Sequence, residues 1–162
     1  MLALSLLGQV TLLKDGVPLD QFRSQREVAL LVYLAQTGGE HRRDFVAELL
    51  WNGRSTQQAL SNLRTVLSRV RKQVGDTLIA TRTSLALAPA SWQPPDSVML
   101  LETLANVGTV DSADAAIVLQ QAVNAYHGDF LADFHLPDAP QFEQWVRVTR
   151  EHIRRQVVAA YD

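Results

Sequence analysis

Hydroxyl and cationic side chains recur at helical spacing between Ser55 and Val74, in the stretch STQQALSNLRTVLSRVRKQV. At about 100° per residue, Ser61, Thr65, Ser68, Arg69 and Lys72 fall on one side, flanked by Arg64 and Arg71. Such groups hydrogen-bond phosphate oxygens and base edges, and a helix has the width to enter a major groove. On its own the stretch reads more readily as an ordinary solvated helix face. Other residue types offer less. His41, His127, His135 and His152 lie on different elements without metal-ligand spacing. Asp129, Asp133 and Asp138 hint at an acidic site, but Phe130, Leu131, Phe134 and Leu136 interleave with them and point to a packed connector. No P-loop, dinucleotide-binding or serine-hydrolase glycine motif is present, and no Ser/His/Asp grouping is legible. Neither an enzyme nor a cofactor or metal site is expected.

The elements around the stretch change its meaning. Leu60, Leu63, Leu67, Val70 and Val74 form an apolar stripe for burial on the opposite side. Upstream, the runs at 2–7 and 9–13 and Val17-Pro18-Leu19, with Asp15-Gly16 as a turn, predict a small antiparallel sheet. SQREVALLVYLAQTGG predicts a helix with Ser24 as N-cap, Glu27 three residues on and Gly38-Gly39 as the stop. RRDFVAELLW predicts a second, burying Val46, Leu49 and Leu50 and ending at Asn52-Gly53. Downstream, Leu78-Ile79 and Leu85 to Leu87 flank the polar tip Thr81-Arg82-Thr83-Ser84, a hairpin over 78–87. Sheet, three helices and hairpin are the order of a winged helix-turn-helix, in which the helix after the turn is the groove reader. In that geometry Arg54, Arg64, Arg69, Arg71, Lys72 and Arg82 share one phosphate-facing surface, and DNA binding becomes the favoured reading.

Charge is divided in the same way. The net charge of −2 resolves into +4 over residues 1–90 and −6 over residues 91–162, so a polyanion partner suits the first half only. Residues 89–95, PASWQPP, predict a joint between a unit at 1–90 and a unit at 95–162. The second unit is helical: 96–107 with Val98, Leu101 and Leu104 inward and Gly108 as the stop, then 111 or 112 to 125, then 141–160 carrying Phe142, Trp145, Val146, Ile153 and Val157. Ala115, Ala116, Ala122 and Ala125 suit close helix pairs like those of a repeat array, although no period is visible. Trp51, Trp92 and Trp145 sit beside apolar runs as core anchors. The start, MLALSLLGQVTLL, lacks the basic region and cleavage site of a signal peptide, and no apolar run is long enough for a membrane span. The absence of cysteine excludes disulfides and fits a reducing, cytoplasmic setting.

In combination, LSLLGQVTL, REVALLVYLA, RRDFVAELLW and ALSNLRTVLSRVRKQVGD, followed by AVNAYHGDFLADFHLPDAPQFEQWV and Arg150-Glu151, resemble the bacterial SARP-type regulators. Those regulators join an OmpR/PhoB-like winged-helix domain to a bacterial transcriptional activation domain (BTAD) of tetratricopeptide-like (TPR-like) helices. The resemblance covers nearly the whole chain, in order. It implies a mainly α fold with small β elements, sequence-specific binding to double-stranded DNA at direct repeats, and contacts to RNA polymerase. Ser61, Arg64, Thr65, Ser68, Arg69 and Lys72 would face the groove and Arg82 would sit on the wing. A homodimer or larger C-terminal regulatory domains would be the further partners. Two features depart from the pattern. Arg42 and Phe45 stand where a small capping residue and a polar one are usual, and the chain stops at Asp162, short of a full BTAD, as a piece of a larger regulator or a reduced version would. The competing reading is a protein-interaction module whose winged helix does not bind DNA. A hydrolase or metal protein has no residues in its support.

Overall fold

The computed structural model describes residues 1–107 and 111–161 of the chain. Strands β1 (Leu2–Ser5), β2 (Thr11–Lys14) and β3 (Val17–Pro18) form an antiparallel sheet in that order. The two-residue turn between β2 and β3 holds Asp15 and Gly16 at φ 52° and 82°, which matches the right-handed twist of paired strands. Helix α1 (Gln25–Thr37) starts as its capping pattern predicts. The Ser24 backbone N–H and Oγ both donate to the Glu27 carboxylate, at 2.8 and 2.9 Å, and this is why a glutamate survives fully buried there.

Next come β4 (His41–Arg42), α2 (Arg43–Leu50), α3 (Thr56–Val74), β5 (Leu78–Ala80) and β6 (Ser84–Leu87). A second antiparallel sheet has the order β4-β6-β5, so the expected hairpin is the larger part of a three-stranded ribbon. Arg42, expected inside the second helix, instead lies in β4 and opposes Ser84, and the helix begins one residue later. The cause is tertiary: the Arg43 N–H donates to Thr83 O at 2.9 Å, so the wing takes up the chain before it can coil. In α3 the apolar stripe is buried as expected at Leu63, Leu67, Val70 and Val74. Ala59 and Val66 join it, and Leu60 is only half-buried.

Helices α4 (Asp96–Asn106), α5 (Ser112–Ala125) and α6 (Pro140–Tyr161) complete the chain. The Gly108 stop expected for α4 lies outside the described residues. The inward face of α4 also differs from expectation: Ser97 and Leu100 are buried, while Val98, Leu101 and Leu104 are only half-buried. The Asp96 carboxylate accepts from the Leu6 N–H at 2.6 Å and the Leu7 N–H at 3.4 Å, and Ser97 Oγ donates to Gln36 Oε1. These bonds fix the rotation of the helix, which apolar spacing alone does not.

The Pro-rich joint runs alongside β1. Leu2 N–H donates to Ser91 O, Gln93 N–H donates to Leu2 O, and Leu2 pairs with Trp92. The irregular connector 126–139 packs as expected, burying Phe130, Leu131, Phe134, Leu136 and Ala139. It is stitched to the first sheet by Gly8 N–H to Asp129 O, Leu131 N–H to Leu6 O and Val10 N–H to the Asp133 carboxylate. One apolar core runs from Leu2 through Leu30, Leu50 and Leu63 to Phe142 and Ile153, so the two halves share it. Tyr33 on α1 meets Trp145 on α6 edge-on, with ring centroids 4.9 Å apart.

Candidate nucleic-acid interface

Helix α2 packs on α3 across the turn Trp51-Asn52-Gly53-Arg54. The turn closes with Arg54 N–H donating to Trp51 O at 3.2 Å, and Ser55 Oγ caps α3 by accepting from Gln58 N–H at 3.1 Å. Burial of the apolar stripe forces the opposite face of α3 outward. Ser61, Arg64, Thr65, Ser68, Arg71 and Lys72 are exposed, and Arg69 is half-buried on one flank. The nineteen residues of α3 include no carboxylate. The ion pairs among the described residues join Met1 to Asp15, Arg42 to Asp44, His135 to Glu143, Arg154 to Asp129 and Arg155 to Glu151. Arg54, Arg64, Arg69, Lys72 and Arg82 take part in none of them. Five cations without an acidic neighbour in contact form a surface that gains by meeting fixed negative charge.

The expected site residues do not all have the same freedom. Arg71 Nη2 donates to Leu78 O at 3.1 Å, so this guanidinium ties α3 to the start of the wing. Thr65 Oγ1 leans back to Ser61 O at 3.4 Å along its own helix. Ser61 and Ser68 offer exposed hydroxyls. Arg82 stands exposed at the wing tip, where Thr81 Oγ1 accepts from the Thr83 and Ser84 N–H groups and sets the turn.

Sequence reasoning missed Arg43. Its Nη1 donates to Thr81 O at 2.7 Å, a second tie between the helical unit and the wing. Burial pushes the Arg43 guanidinium pKa below its ordinary value, and the nearby Arg64 cation pushes it further the same way. A phosphate placed between the two would relieve that crowding. Gln57, Gln58 and Asn62 were also missed. Gln57 and Gln58 are exposed on the first turn of α3, and Gln58 Nε2 donates to Asn62 Oδ1 at 3.0 Å. The projection that selected Ser61 and Thr65 would have found the two glutamines, whereas the role of Arg43 depends on the pairing of β4 with β6.

The departures at Arg42 and Phe45 lie on the outer side of α2. Phe45 is 52% exposed and, with Glu40, Asp44, Glu48 and Arg54, lines an open groove of about 580 Å³. Arg42 reaches across to Asp44 at 2.6 Å. Elsewhere two of the three suspected acidic residues are engaged. Asp129 holds Arg154 and the Tyr126 hydroxyl, and Asp133 holds the Val10 N–H. Among the described residues no three metal-ligating side chains converge, and no helix is long and apolar enough to cross a membrane.

No protein-family model matches the sequence, and no curated protein matches it. Among solved structures, Mycobacterium tuberculosis EmbR, determined in complex with a low-affinity phosphopeptide, superposes with a TM-score of 0.73 at 20% sequence identity. The fold is EmbR-like. The superposition covers 99% of this chain and 43% of EmbR, so the chain spans less than half the length of that neighbour. It agrees with the mainly helical architecture with small antiparallel sheets that the SARP-type resemblance implies.

Proposed function

We propose that the chain is a DNA-binding transcription regulator of SARP type that lays α3 in the major groove and sets the wing tip on the flanking backbone. The observation that carries this reading is the acid-free outer face of α3, continued by Arg54 and Arg82, with none of its five free cations held by a carboxylate. Arg64 and Arg69 suit guanine edges, the exposed hydroxyls and amides of α3 suit neighbouring bases, and Arg54, Lys72 and Arg82 suit phosphates. The SARP-type sequence pieces and the EmbR-like fold support the same assignment. On this reading the helical half is the BTAD-like, TPR-like module that meets RNA polymerase, and binding is to direct repeats in a bacterial cytoplasm. Selection from a random duplex library tests it. Enrichment of a direct repeat, protected from cleavage over both half-sites, is expected; a pool that stays random after selection would overturn the assignment.

A second reading, an interaction module, is favoured by the exposed Phe45 and its groove on α2. It calls for a protein partner that protects Phe45 and for no sequence enrichment in the same selection.

A further inference from the structure

Arg26, on the first turn of α1, joins three parts of the chain that are distant in sequence. Its Nε donates to Leu50 O at 2.8 Å, one of the terminal carbonyls that α2 itself leaves without a partner. Its Nη2 donates to Pro137 O at 3.2 Å, on the connector that leads into α6. Its guanidinium carbon stands 5.6 Å from the centroid of the Trp51 ring. The side chain therefore touches the last residue of α2, the first residue of the turn and the helical half at once.

What lies beyond that turn matters more than the bonds themselves. Trp51 O accepts from the Arg54 N–H, Ser55 caps α3, and α3 carries the outward cations. On the other side, Pro137 is followed by Asp138 at φ 60°, and Leu136 is buried with its N–H given to Glu143 Oε1 at 2.7 Å. The connector is thus anchored into α6 just where it meets Arg26. Burial pushes the Arg26 guanidinium pKa below its ordinary value; the Asp138 charge opposes that shift and the Arg54 charge adds to it.

We propose that Arg26 is a positioning residue through which the helical half sets the attitude of the α2–α3 turn, and so of the DNA-facing side of α3, without touching DNA. This rests on the DNA-binding reading above. The role needs the planar fork of arginine, because an ammonium group cannot serve two carbonyls and an indole face in the same arrangement.

The test uses the full chain and the variants Arg26→Ala, Arg26→Lys and Asp138→Asn. Amide hydrogen exchange over residues 51–58, urea unfolding and affinity for the selected duplex at several salt concentrations are measured together. For Arg26→Ala and Arg26→Lys, exchange at 51–58 is expected to accelerate about tenfold and duplex affinity to fall about tenfold, the scale of a lost charge-assisted hydrogen bond. The salt slope should stay at the wild-type value, because no phosphate contact is removed. Asp138→Asn keeps a residue tolerant of positive φ and lies in the helical half, yet should also speed exchange at 51–58. A slope lowered by about 0.9 would mean that Arg26 meets phosphate directly and would overturn the proposal. Unchanged exchange in the lysine variant would overturn it too, as would faster exchange with unchanged affinity. Should Arg26→Ala unfold, the lysine and Asp138 variants carry the test. If the wild type binds no duplex, the DNA reading fails, while the exchange data still decide whether Arg26 joins the two halves.

Discussion

Replacing Arg69 and Lys72 together by alanine tests the charge argument quantitatively. Five cations on or beside α3 and the wing have no ion pair among the described residues: Arg54, Arg64, Arg69, Lys72 and Arg82. Each phosphate neutralised releases counterions and contributes about −0.9 to the slope of log affinity against log salt, so the three phosphate contacts of Arg54, Lys72 and Arg82 set a slope near −2.7. Between about 50 and 200 mM salt, that slope lowers affinity by about 40-fold. With Lys72 gone, two phosphate contacts leave a slope near −1.8 and a loss of only about 12-fold over the same interval, while loss of Arg69 from a guanine edge lowers affinity at every salt concentration. Neither side chain takes part in an ion pair among the described residues; Lys72 is exposed and Arg69 half-buried on the flank of α3, outside the buried apolar stripe, so the fold should tolerate the change. The assay is fluorescence anisotropy with a labelled duplex across the salt series, with circular dichroism to verify folding. A folded double variant that keeps the wild-type slope would refute the assignment of this face to DNA.

Three further outcomes concern stability. A Cβ added at Gly128 would stand 2.8 Å from Gly8 Cα and 3.2 Å from Gly8 N, both backbone atoms, so Gly128→Ala should lower stability by about 1–3 kcal/mol; an unchanged urea midpoint would contradict this. Phe142 is fully buried against Phe134 and Trp145, and Phe142→Ala should cost about 3–5 kcal/mol while keeping one unfolding transition for both halves. The Arg154 guanidinium, helped by the Tyr126 hydroxyl and opposed by burial, holds Asp129 down to a pKa of about 2. A carboxyl depressed in the folded state stabilises above its unfolded pKa of about 3.9 and loses that contribution as pH falls toward the folded value. Solvent reaches the pair, whose side chains are 51% and 31% exposed, so screening keeps the contribution small. Asp129→Asn should therefore be less stable than wild type at pH 5, with the gap closing by pH 2. Parallel stability curves would remove the ion pair from the account.

The order of small sheet, three helices and hairpin was legible because its signals are local. The 3-4 spacing of Leu63, Leu67, Val70 and Val74, the Ser24–Glu27 cap and the polar tip at Thr81 to Ser84 depend on residues close in sequence. Strand β4 was not legible, since two residues become a strand only by pairing with Ser84 and Leu85. The burial of Ser97 and Leu100 in place of Val98 follows from bonds to Leu6, Leu7 and Gln36, which no periodicity records. The face of α3 could be projected from spacing. That its cations lack acidic partners, and that Arg71 and Arg43 are spent on holding the wing, could be seen only with the chain folded.

The stitching of Leu6 to Val10 onto Asp96 and residues 129–133 bears on how the chain is made. A ribosome releases the N-terminal residues first, but their partners follow more than a hundred residues later for Val10 and Asp133. At about 5–20 residues per second the first strands wait on the order of 6–25 s before the connector that covers them emerges. Through that interval Leu6 and Leu7, both buried in the finished fold, are open to solvent and to chaperones. A nascent chain arrested before residue 129 should bind a holdase through this segment, and the full chain released from the ribosome should not.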